Sequence, residues 1–370
     1  MGKKGKKKNT NNVKNSNNVK KSNIPNVSIC TPTFNRRPFF KGLIKSIKEQ
    51  DYPHDMIEWI IVDDGTDSLE DLLTSEETIK YLHPIKIRYF YVKEKMDLGK
   101  KRNYMHEMCN YKKDEDIIVY IDDDDYYPPE RVSHSVKRLT QKKEALCGGS
   151  SEIYLWFNTL NKMYKFGPYG PNHATAGTFA FKRKLLKETS YQDDAVLAEE
   201  KHFLKNYTIP FVQFDPLKTI LVVSHEQNTF DKKKLLSKNN NFVKESSLTV
   251  KNFIKDKELE VFYHSDINNL LTEYEPGRIE NKPKVLKEIA RRENERKEMV
   301  KKNSETKLSG LNVKNEKTGE IKELTVMECK QIITNKINEC EFLKREIMKF
   351  KEENDRLKKE LNNLKENTIT

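Results

Sequence analysis

Residues Ile117-Ile118-Val119-Tyr120-Ile121 run without a break into Asp122-Asp123-Asp124-Asp125, and few folds can hold such a stretch. The apolar, β-branched run reads as a strand buried on both faces, as in a parallel sheet. Four carboxylates at its end repel one another unless a cation neutralises them. Hard cations such as Mg²⁺ or Mn²⁺ take oxygen ligands and commonly bridge one or two carboxylates to substrate phosphates. The carboxyl edge of a parallel sheet is also where α/β proteins bind ligands. The plain alternative is an acidic turn before a helix that starts near Pro129.

The rest of the chain supports the sheet. Val27 to Cys30 reads as a short strand running into the polar turn Thr31-Pro32-Thr33-Phe34-Asn35-Arg36. Phe39, Phe40, Leu43, Ile44 and Ile47 then recur at helical spacing. Ile57 to Val62 is a second buried strand ending in Asp63-Asp64-Gly65, a third strand fits Ile85 to Val92, and Leu98 to Cys109 is a helix. Strands alternating with helices, with polar residues at strand ends, predict an α/β, doubly wound and mainly parallel sheet with flanking helices.

Taken in order, the strand-turn Val27–Arg36, the strand end Val62-Asp63-Asp64-Gly65, the helix start Lys101-Arg102-Asn103 and Ile121-Asp122-Asp123-Asp124-Asp125 with Pro129 resemble the family 2 glycosyltransferases of the GT-A fold. The resemblance covers about residues 26–230. It implies a metal-dependent transfer of a sugar from a nucleotide sugar, UDP-linked by the expected role of Asp64, to a hydroxyl on a glycan, protein or lipid, with inversion. Thr31, Pro32, Thr33, Asn35 and Arg36 are expected around the nucleotide, and the Asp64 carboxylate is expected to accept the uracil N3 proton. Arg102 can meet the diphosphate with paired donors. Asp122 and Asp124 match the family's DXD motif. Asp124 is the expected ligand for Mn²⁺ or Mg²⁺, Asp122 touches ribose or metal-bound water, and the run of four leaves Asp123 and Asp125 open in register. His225, after the last core strand, is a further metal or diphosphate contact. Gly177 and Thr178 lie in the segment expected under the donor sugar, and Trp156 near the acceptor. Family members place an acidic pair at a helix start as the base. Here that pair is Glu199-Glu200, and Glu200 takes the catalytic position.

Composition limits what lies outside this domain. Charged residues make up 34% of the chain against 35% hydrophobic, too polar for one globule throughout. The net charge of +12 owes much to eight lysines within residues 1–22; without them about +4 remains. A body so mildly basic argues against nucleic acid. Residues 1–25 read as a disordered basic tail, for solubility or, alternatively, contact with anionic lipid or RNA. The tail has no apolar stretch behind it, so it is not a secretory signal, and its Met1-Gly2 start lacks the Ser or Thr of a myristoylation site. Five scattered cysteines argue for a reducing compartment and against structural zinc. With no membrane-length apolar run, the expected location is cytoplasmic.

The expected organisation is a tail at 1–25, a GT-A domain at 26–235, a charged, mostly helical extension at 236–328 and a coiled coil at 329–370. A hairpin is expected within 311–326. From Ile333 an apolar seam keeps heptad spacing through Cys340, Ile347, Asn354 and Leu361, with Leu343, Phe350, Leu357 and Leu364 at the second position. Asn354 is the polar insert of a parallel homodimer. Two rival readings compete. A nucleotidyltransferase also uses strand-end aspartates with Mg²⁺, but its glycine-rich phosphate loop is missing near the first strand. A non-enzymatic coiled-coil scaffold accounts for both ends and nothing between them.

Overall fold

The structure, a computed structural model, describes residues 24–197, 200–229, 231–236, 241–305, 307–314 and 319–367. The basic tail through residue 23, Glu199 and residues 237–240 of the expected extension lie outside these residues.

The chain opens with strand β1 (Val27–Thr33), helix α1 (Phe40–Lys48), β2 (Ile57–Asp63), α2 (Glu70–Leu73), α3 (Glu76–Leu82), β3 (Lys86–Tyr91), α4 (Leu98–Met108), β4 (Ile117–Tyr120) and α5 (Arg131–Gln141). β5 (Cys147–Gly149), β6 (Ile153–Phe157), β7 (Lys162–Phe166), β8 (Ala180–Lys182), α6 (Glu200–Phe203), β9 (Phe211–Gln213), β10 (Leu221–Ser224) and β11 (Val243–Ser246) follow. The main sheet has the order β3-β2-β1-β4-β8-β5-β9, and only β8 runs against its neighbours. A second sheet has the order β10-β6-β7-β11.

The two-residue period of a strand sorts the core. Val27, Ile29, Ile57, Trp59, Ile61, Ile117 and Val119 face one way and pack with Phe40, Leu43 and Ile47 of α1. Cys30, Ile60, Val62, Ile118 and Tyr120 face the other way and pack with Met105 of α4 and with Phe179, Phe181 and Phe203. Helices on both faces explain why β2 and β4 are buried along their whole length and read as unbroken apolar runs. This is the doubly wound, mainly parallel α/β architecture of the GT-A fold.

A third cluster extends this unit. α7 (Val250–Phe253), α8 (Lys257–Val261) and α9 (Ile267–Thr272) place Val250, Phe253, Leu259, Phe262 and Ile267 against Phe39, Tyr126, Trp156, Leu221 and Val223. The compact unit therefore runs to Leu286, and residue 235, the boundary expected from sequence, falls inside it.

The second unit begins at Lys287. It holds most of α10 (Pro283–Glu305), the antiparallel hairpin β12 (Lys307–Lys314) and β13 (Ile321–Thr325), and α11 (Val326–Asn367). A capping box starts α11. Glu328 N donates to Thr325 Oγ1 at 3.2 Å, and Thr325 N donates to Glu328 Oε2 at 2.9 Å. Ile333, Leu343, Ile347, Phe350 and Leu357 are each more than half exposed along it. Among the described residues no helix is long and apolar enough to cross a membrane.

Candidate active site

β1 and β4 lie side by side, so their carboxyl ends open on one cavity of about 440 Å³. Pro32, Thr33, Phe34 and Arg36 line it from the turn after β1, and Asp122, Asp123 and Asp124 from the end of β4. Lys95 to Leu98, Lys101 and Arg102 come from the start of α4, and Val196 and Leu197 from the loop before α6. Thr229 and Lys282 to Val285 complete the wall.

Each aspartate of the run has a different fate. Asp122 rests directly on Gly177, where an added Cβ would sit 2.5 Å from Asp122 Oδ2; this close approach needs glycine. Asp122 N donates to Tyr127 Oη at 2.8 Å, which donates in turn to Gly177 O at 3.2 Å. Arg102 Nη2 stands 3.7 Å from Asp122 Oδ1, and its guanidinium lies 4.3 Å above the Tyr120 ring. Burial and the neighbouring Asp124 push Asp123 up to about 7, against the pull of Arg36 at 3.8 Å. Burial also acts on Asp124, but the hydrogen bond with His225 and the charge of Arg36 hold it well below the usual carboxylate range. Asp125 turns away to accept from Val223 N at 2.9 Å and pins β10.

Asp124 Oδ2 and His225 Nε2 are 3.2 Å apart. Burial pushes His225 down to about 4, so its ring is neutral near pH 7. Asn228 Nδ2 lies 2.8 Å from the same Nε2, which cannot both accept from this amide and donate to the Asp124 carboxylate. Asp124 and His225 are the residues that could hold a divalent cation here, one with oxygen and one with nitrogen. Among the described residues no group of three or more His, Cys, Asp or Glu side chains is placed to hold a metal ion.

Other expected residues serve the frame. Thr31 Oγ1 faces the core and accepts from Trp59 Nε1 at 2.9 Å. Asn35, at φ +52°, accepts through Oδ1 from the backbone of Thr66 and Asp67 and donates to Pro276 O at 2.9 Å. Asp64 accepts from Lys101 Nζ at 2.5 Å and from Met96 N at 2.7 Å, which fixes two parts of the cavity wall. Thr178 Oγ1 accepts from Ser150 N and donates to Thr175 O. Trp156 is buried in the third cluster and stacks on His264, ring centroids 5.2 Å apart, away from the cavity lining. Glu200 opens α6, three residues beyond Leu197, half-buried and close enough for its charge to reach Tyr207.

Among the lining residues that sequence reasoning missed are Phe34, Lys95 and Lys282. Lys95 Nζ lies 3.2 Å from the Phe34 ring centroid and Lys282 Nζ 5.7 Å. Neither lysine belongs to a motif, and no local signal would have found Lys282.

The profile of glycosyl transferase family 2 matches residues 28–194. Two Bacillus subtilis (strain 168) proteins are similar over shorter stretches. One, named as a teichuronic acid biosynthesis glycosyltransferase, TuaG, is 27% identical over 119 residues, covering 32% of this chain and 43% of its own. The other, protein CgeD, is 28% identical over 123 residues, covering 32% and 27%. The chain thus spans less than half the length of either relative. Among solved structures, the mannosyltransferase PcManGT of Pyrobaculum calidifontis, in complex with GDP-Man and Mn²⁺, aligns with a TM-score of 0.41 at 18% identity over 54% of this chain and 57% of that one. Residues 1–349 of S. aureus TarS, in complex with UDP-GlcNAc, align at 0.39 and 17% over 54% and 59%.

Proposed function

Because the chain belongs to glycosyl transferase family 2 through its residues 28–194, we propose that it transfers a sugar from a nucleoside diphosphate sugar, UDP-linked in our reading, to a hydroxyl acceptor with inversion. The observation that carries this is the cavity itself: strand-end carboxylates face a wall of basic side chains from Arg36, Lys95, Lys101, Arg102 and Lys282. Such a wall suits a ligand with two or more adjoining negative charges.

In this reading Arg102, held flat on Tyr120, donates to the diphosphate. Asp124 and His225 are the residues that would hold Mn²⁺ or Mg²⁺, which when bound neutralises the departing diphosphate. Asp122, braced on Gly177, meets the ribose side of the donor. Glu200 takes the proton of the acceptor hydroxyl as the new glycosidic bond forms and the bond to the diphosphate breaks. The closing test is a screen of UDP- and GDP-sugars for slow hydrolysis, with and without EDTA. Glu200→Gln is expected to retain donor binding and lose about a hundredfold of transfer. Full activity in excess EDTA would remove the metal from the scheme, and an active Glu200→Gln would remove the base.

The exposed apolar row on α11 supports a parallel homodimer through residues 330–367. Light scattering of the full chain is expected to give a dimer, and deletion of residues 330–370 a monomer. A dimer after the deletion would place the interface in the catalytic unit instead.

A further inference from the structure

The turn at Tyr274–Gly277 is fastened to the loops that carry the donor cavity. Tyr274 Oη donates to Asp67 Oδ2 at 2.7 Å, and Gln227 Nε2 donates to Tyr274 O at 2.6 Å. Asn35 Nδ2 donates to Pro276 O at 2.9 Å and Arg36 Nη1 to Gly277 O at 3.1 Å. Gly277 seats so closely that an added Cβ would collide with Gln227 Oε1. Five residues further on, Lys282 enters the cavity and is 7% exposed. Its Nζ makes one hydrogen bond, to Thr229 Oγ1 at 3.2 Å.

We propose that Lys282 is a diphosphate-binding residue of the donor site, delivered by a segment outside the family match and acting with Lys95 across the Phe34 ring. The inference rests on the glycosyltransferase reading above and gives one side chain of its basic wall, Lys282, a specific partner, the diphosphate. A buried ammonium is costly unless a counter-charge meets it. Lys101 meets Asp64 and Lys284 meets Asp97, but among the described residues neither Lys95 nor Lys282 has a carboxylate within ion-pair distance. Burial and the nearby Arg36 push Lys282 down to about 7, and burial pushes Lys95 down to about 8. Buried Lys282 has the signature of a cation waiting for an anion; Lys95 is exposed to solvent, and both line a cavity that also holds Arg102. A donor diphosphate supplies the missing charge, and after sugar transfer the free nucleoside diphosphate carries one more negative charge into the same contact.

The test is calorimetric titration of the full-length chain with UDP and GDP, and with uridine and guanosine, in the presence of Mn²⁺. For whichever diphosphate the wild type binds, Lys282→Met is expected to lose about tenfold or more in affinity, while the matching nucleoside binds as before. Lys282→Arg is expected to retain most of the affinity. The unliganded Lys282→Met chain is expected to melt at the wild-type temperature or above it, because a buried charge has gone. Unchanged diphosphate binding in Lys282→Met would overturn the proposal. So would a drop in melting temperature with equal losses for diphosphate and nucleoside, which would make Lys282 a structural cap on Thr229. If the wild type binds neither UDP nor GDP, the glycosyltransferase reading falls and the proposal with it.

Discussion

β2 and β4 both end in aspartates at the same edge of one sheet, yet the two ends do different things. At the end of β2 every carboxylate oxygen is engaged by the protein. Asp63 accepts from Gly65 N, Leu69 N and Tyr89 Oη, and Asp64 from Lys101 Nζ and Met96 N. At the end of β4, Asp122, Asp123 and Asp124 line the cavity, with Arg102 3.7 Å from Asp122, Arg36 3.8 Å from Asp123 and the neutral His225 3.2 Å from Asp124. The β2 end is satisfied internally and sets loops, whereas the β4 end opens on the cavity. Acid at a strand end is therefore not a site by itself; the distance and identity of the donors around it decide.

The sharpest way to break this contrast is Asp124→Asn. Loss of the ionised ligand should cut transfer by about a thousandfold, several kcal/mol of transition-state stabilisation. A fully active variant would mean that both ends are structural. Asp64→Asn acts on the other end. It leaves Lys101 buried without its counter-charge and should cost about 3 kcal/mol of stability in a denaturant melt. Should that variant melt like wild type and lose only UDP affinity, Asp64 reads the base and the contrast fails. A third effect runs through His106, whose Nε2 lies 2.7 Å from Tyr120 Oη, below the Arg102 contact. Burial first, then Arg102 and Arg183, push this histidine down to about 3. The unfolded chain takes up that proton near pH 6.5 and the folded chain does not. Its contribution is complete above pH 6.5 and is lost toward pH 3, by up to about 1.4 kcal/mol per pH unit. His106→Gln should flatten that slope in melts from pH 7 to 4. The smallest effect is expected of Asp63→Asn, about 1 kcal/mol of stability with donor binding unchanged.

The main sheet was legible because β2 and β4 are covered on both faces and show it as unbroken apolar runs. Residue roles were less so, since type does not tell which way a side chain points. Thr31 and Thr33 sit in one polar turn, yet Thr31 is bound to Trp59 inside the core and Thr33 lines the cavity. Trp156 was expected near the acceptor because nothing local foretold that helices from residues 250–271 would cover it. Lys282 was hidden for the same reason. Its neighbours in the cavity are about 185 and 250 residues away along the chain, and no short-range pattern records such a pairing.

The fastening of Gly277 to Arg36 joins residues 241 apart. A ribosome adding roughly 5–20 residues per second needs roughly 12–50 seconds to go from Arg36 to Lys282. Once Asp125 is made, the nascent sheet has its aspartates and its β1 turn but still lacks the wall that completes the pocket. The cavity is thus among the last parts of this unit to be finished, and a growing chain lacks a wall that the released one has.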